Sequence, residues 1–139
     1  MDGTAKTRGP RTATFLLVAG AISAGVHGGL APGHVREWLP LGVSFAVAAA
    51  AGAALVAALA LRPDGIWPAR LLGGLFASLM VAYALTRMAA LPPLDPEREP
   101  LDTVGVCTGV VEAAGLLLAL SLGQRRRPRL SLVTTGGTA

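Results

Sequence analysis

Four apolar stretches, at about residues 13–31, 39–61, 70–91 and 102–122, constrain this chain more than anything else in it. Each is close to the about 20 residues that an α-helix needs to cross the hydrocarbon of a bilayer. A segment that enters lipid must satisfy its own backbone amides and carbonyls, and a helix does so. Four crossings consume most of the 139 residues and leave no room for a second, soluble domain. Composition points the same way: 53% of residues are hydrophobic and 14% charged, which is more apolar than the average soluble domain. The expected fold is all-α, an integral membrane four-helix bundle over residues 13–122. A basic N-terminus (1–12) precedes it, and a basic, then polar tail (123–139) follows, read as disordered.

Charge orients the bundle. The N-terminus carries Lys6, Arg8 and Arg11 against Asp2. The second connection, "RPDGIWPAR", carries Arg62 and Arg70 against Asp64, and the tail carries Arg125, Arg126, Arg127 and Arg129. The first connection balances Arg36 with Glu37, and the third, "LPPLDPEREPLD", sets Arg98 against Asp95, Glu97, Glu99 and Asp102. Lysine and arginine excess marks the cytoplasmic side. An up-down antiparallel bundle with both termini cytoplasmic satisfies every flank at once. Reading the first span as a cleaved signal peptide after "KTRGPR" would leave three spans and set one basic flank against this rule. Trp38 and Trp67, at opposite ends of the second span, suit the two membrane interfaces. The chain is therefore expected in the cell membrane as a multi-pass protein. Its sequence pI of 10.6 reflects basic helix flanks, and no nucleic-acid partner is expected.

Proline and glycine mark the expected helix ends: "LAPG" after the first span, "RPDG" after the second, "LPPL" after the third. Asp102 is placed to cap the fourth helix. Gly42, Ala46, Ala50, Ala54 and Ala58 recur every four residues along the second span. Such a small-residue face lets helix backbones approach closely in lipid. It would serve either the bundle itself or association with a second copy or a larger membrane protein. No internal repeat of the inverted-transporter kind is visible.

Two charges sit inside otherwise apolar segments. Arg87 lies five residues before Pro92, about 7 Å below the outer end of the third span, and Glu112 lies ten residues after Asp102, about 15 Å down the fourth. A charge at the centre of a membrane helix costs about 2.5 to 3.5 kcal/mol on insertion scales. Glu112 is thus expected to face the bundle interior with a partner, or to stay protonated. Gly105, Thr108, Gly109, Gly115 and Ala119 share its helix face and suit packing. Arg87 is the partner expected, as an intramembrane polar pair with Glu112. His27 lies near the outer end of the first span, with Ser23 one turn below, and "APGHVREW" adds His34 and Glu37 as an i, i+3 pair. His27, His34 and Glu37 form a candidate outer-mouth ligand site. Histidine with carboxylate can relay protons or bind a divalent metal, but the spacing specifies no metal, and whether one binds is left open. Cys107 is alone and forms no intramolecular disulfide.

The stretches "VHGGLAPGHVREWLPLGVSF", "TRMAALP" and "VVEAAGLLLAL" make residues 13–122 resemble the small four-span membrane proteins of unassigned function of GC-rich bacteria. That resemblance implies a four-helix bundle with a histidine-containing outer connection. Arginine outnumbers lysine eleven to one, as GC-rich codons favour. No P-loop, nucleophile elbow, Rossmann glycine pattern or redox CxxC is present, and Ser78 and Cys107 are weak nucleophile candidates. The function expected is therefore non-enzymatic and without a cofactor: an accessory or assembly component with a polar site on the extracytoplasmic side. The alternative is proton, metal-ion or small-ligand binding or transport through the bundle.

Overall fold

A computed structural model describes residues 8–92 and 100–125. Asp95, Glu97 and Glu99 of the third connection and tail residues 126–139 lie outside these residues, whereas residues 8–12 and 123–125, expected in the flanks, are helical. Four helices make up the described chain: α1 (Arg8–Glu37), α2 (Leu39–Leu61), α3 (Ile66–Met88) and α4 (Thr103–Arg125). Each contains a span long and apolar enough to cross a membrane. Around the bundle, α1 packs on α2, α2 on α3, α3 on α4 and α4 on α1.

Several helix ends differ from those expected. α1 does not stop at "LAPG" but runs through Pro32 to Glu37, with Trp38 alone separating it from α2. A proline inside a helix forfeits one backbone bond and presses its ring on the carbonyl four residues back, here that of Gly28. Apolar helices tolerate this where neighbours and local adjustment compensate. The hairpin is then closed tightly: the Trp38 amide donates to the His34 carbonyl at 2.7 Å, and Pro40 falls in the first turn of α2, where a missing N–H costs nothing. A Cβ at Gly42 would collide with the Val35 backbone, so glycine is required for the two helices to approach this closely. α3 is displaced toward the N-terminus, starting at Ile66 and ending at Met88.

The packed core occupies one half of the bundle. Leu16, Leu59, Leu72 and Phe76 are fully buried, joined by Ala19, Ala69 and Ala119. These residues come from early α1, late α2, early α3 and late α4. Gly115 lets α4 close on α3 there, because a Cβ would strike the Phe76 ring. The other half, at late α1, early α2, late α3 and early α4, is where the polar residues lie.

The small-residue face of α2 divides. Gly42 is buried, but Ala46, Ala50 and Ala54 are exposed. The face of α2 that packs within the chain carries Leu41, Gly52, Leu55, Val56 and Leu59 instead. On α4 the expected packing face holds in the main: Thr108, Glu112, Gly115 and Ala119 are buried, and Gly105 and Gly109 are half-buried.

Candidate functional site

Helical periodicity places Ser23, His27, Leu30 and His34 along one stripe of α1, at steps of four, three and four residues. From His27 onward that stripe looks onto a cavity of about 400 Å³ to which all four helices contribute. α2 adds Leu41, Ser44, Phe45 and Ala48. α3 adds Leu79, Tyr83, Thr86 and Arg87, Asp102 comes from just before α4, and Val104, Thr108 and Glu112 come from its first half. A space of this size falls in the range of small-molecule sites, which are mostly apolar with a few placed polar groups.

Glu112 is the deepest polar group of this wall, at 3% exposure. The Ser23 hydroxyl donates to its Oε1 at 2.7 Å. His27 approaches the same oxygen at 4.0 Å, beyond hydrogen-bond length. Its Nδ1 instead lies 2.9 Å from the Ser23 backbone carbonyl. A carbonyl only accepts, so Nδ1 carries the proton and a neutral imidazole keeps its lone pair on Nε2. Ser23 thus ties both groups together, its side chain to Glu112 and its backbone to His27. Phe45 packs between the two histidines, with ring centroids 5.2 Å from His27 and 4.4 Å from His34.

The expected pairing of Arg87 with Glu112 is not the one that forms. Arg87 donates from Nη2 to Asp102 Oδ2 at 2.8 Å and from Nη1 to the Thr86 hydroxyl at 3.2 Å, and it lies over the Tyr83 ring at 4.3 Å. The cause is the position of the helix ends. Because α3 stops at Met88, Arg87 sits in its last turn, level with the first residues of α4, and Glu112 lies about three turns further down. Asp102 does cap α4, as expected: the Gly105 amide donates to its Oδ1 at 2.6 Å. That bond, more than any other contact, holds the Asp102 carboxyl below its ordinary value; partial burial opposes the effect and Arg87 reinforces it.

The outer-mouth set of His27, His34 and Glu37 is only partly assembled. Both histidines line the cavity, but Glu37 does not; its exposed carboxylate meets His34 Nδ1 at 3.3 Å near the end of α1. Glu112 takes the place expected for Glu37. Among the described residues no group of three or more His, Cys, Asp or Glu side chains could hold a metal ion. Cys107 is exposed, and the exposed Ser78 hydroxyl donates to the Gly74 carbonyl of its own helix at 2.9 Å. Neither lines the cavity. Met88 is exposed and Met80 half-buried.

Sequence reasoning missed Phe45, Tyr83 and the second role of Asp102. Phe45 had a signal, being the one aromatic residue in an alanine-rich span. Tyr83 had another, lying four residues before Arg87 on the same helix face, where an aromatic ring and a guanidinium can stack. No family model, curated protein or solved structure matches the chain.

Proposed function

We propose that this chain is a multi-pass protein of a bacterial cell membrane that holds a small ligand in the hollow half of its bundle, without covalent chemistry. Its helices run up-down with both termini in the cytoplasm, and the packed half faces the cytoplasm. The cavity then lies in the extracytoplasmic half, beside the connections that carry little net positive charge. A single observation carries the reading: an about 400 Å³ space built by all four helices, with Glu112 seated in its wall at 3% exposure. Intramembrane carboxylates are costly and generally mark a binding or transport site.

Cysteine accessibility tests this in intact cells. In a Cys107→Ser background, Ser44→Cys is expected to react from outside with a membrane-impermeant methanethiosulfonate, because Ser44 lines the cavity. Leu72→Cys, in the packed half, should remain inert. If Ser44→Cys is as unreactive as Leu72→Cys, the proposal fails. A second reading, an accessory or assembly component, is favoured by the exposed small residues Ala46, Ala50 and Ala54 on α2. It predicts site-directed crosslinks from Ala50→Cys to another membrane protein or a second copy.

A further inference from the structure

We propose that the ligand of this cavity is a monovalent organic cation with an apolar body, bound through Glu112; the inference rests on the ligand-binding reading above. It follows from how the charges around the cavity are already committed. The Arg87 guanidinium is bonded to the Asp102 carboxylate at 2.8 Å, so this pair adds little net charge. His34 Nδ1 has the Glu37 carboxylate 3.3 Å away, although the two make no hydrogen bond. The His27 Nδ1 proton is used on the Ser23 carbonyl. Among the described residues, what is left is the Glu112 carboxylate, whose Oε1 takes the Ser23 hydroxyl bond.

Glu112 Oε2 accepts no hydrogen bond among the described residues and is not sealed from the cavity. His27 approaches Oε1, the oxygen already used by Ser23, and so leaves Oε2 open. A carboxylate in a low-dielectric wall gains most from a donor that also carries positive charge, because charge-assisted bonds are about twice as strong as neutral ones. The remaining walls suit the rest of such a molecule. Leu30, Leu41 and Leu79 offer apolar surface, and the Phe45 and Tyr83 rings add π faces that attract cations. An anionic ligand would lie in the same cavity as the Glu112 carboxylate.

Three probes of one shape test the charge preference: 1-naphthylmethylammonium, 1-naphthylmethanol and 1-naphthoate. Each is equilibrated with the full chain in phosphatidylcholine nanodiscs, with empty nanodiscs correcting for partition into lipid. The ammonium is expected to bind saturably, one per chain, and the alcohol and carboxylate to bind weaker by on the order of tenfold or more. Glu112→Gln should lower ammonium affinity by a similar factor, and Asp64→Asn, an exposed acid in the connection between α2 and α3, should not. Should Glu112→Gln fail to assemble, protection decides: the ammonium, and not the alcohol, should slow alkylation of Ser44→Cys in the Cys107→Ser background. Equal or better binding of the alcohol or carboxylate overturns the cation inference and leaves the ligand-binding reading standing. Absence of saturable binding by all three overturns both.

Discussion

Asp102 divides its two oxygens between two tasks, Oδ1 capping α4 through the Gly105 amide and Oδ2 meeting Arg87. The tasks are separable, because asparagine caps a helix about as well as aspartate but carries no charge. Asp102→Asn is therefore expected to cost less than about 1 kcal/mol, since its carboxylate is 47% exposed and exposed pairs contribute little. Asp102→Ala should cost about 1 kcal/mol more through loss of the cap. Thermal unfolding in detergent reads both. A double-mutant cycle should show coupling between Arg87→Met and Asp102→Asn, and none between Arg87→Met and Glu112→Gln. The sign of the pH effect follows from the lowered Asp102 carboxyl. Its stabilisation is fully present above the unfolded value of about 3.9 and is lost as pH falls through the lower folded value. Wild type should accordingly lose more melting temperature than Asp102→Asn between about pH 5 and about pH 3; an equal loss would count against this account of the pair.

Helix by helix, the bundle distinguishes glycines that must stay bare from those that need not. At Gly42 the obstacle is the Val35 backbone, and at Gly115 it is the Phe76 ring. Overpacking typically costs about 1–3 kcal/mol, and Gly42→Ala should lie toward the upper end because backbone cannot rotate aside. Gly74 has nothing within 4 Å of a Cβ. Gly74→Ala should be neutral or stabilise by up to about 1 kcal/mol through helix propensity. Equal effects at Gly42 and Gly74, read as melting temperatures, would contradict this packing. On α2, the exposed Ala50 and Ala54 contrast with the buried Gly52. Ala50→Leu and Ala54→Leu should change monomer stability by less than about 0.5 kcal/mol, whereas Gly52→Leu, against Ala24, should disrupt the α1–α2 contact.

At the scale of the whole molecule, the bundle is filled at one end and hollow at the other, and the charge pattern proposes which end faces out. Reporter fusions after Asp64 and after Gln124 are expected to read cytoplasmic, and a fusion after Pro100 extracytoplasmic; any other pattern rejects the four-span orientation. The number of helices and their capacity to span a bilayer were legible in the sequence, as were the cap at Asp102 and the buried face of α4. These depend on hydropathy, length and period along a single chain, so no neighbour is needed to read them. The passage of α1 through Pro32 was not legible, because proline in an apolar helix is tolerated or not according to what packs beside it. Nor was the carboxylate that Arg87 meets. That depends on the axial offset between α3 and α4, where one helical turn displaces a side chain by about 5.4 Å and exchanges one partner for another. The residues of the cavity were named in part from sequence. Only tertiary structure, by fixing the rotation of each helix about its axis, brought Ser23, His27, Phe45 and Glu112 to one site and left Glu37 outside it.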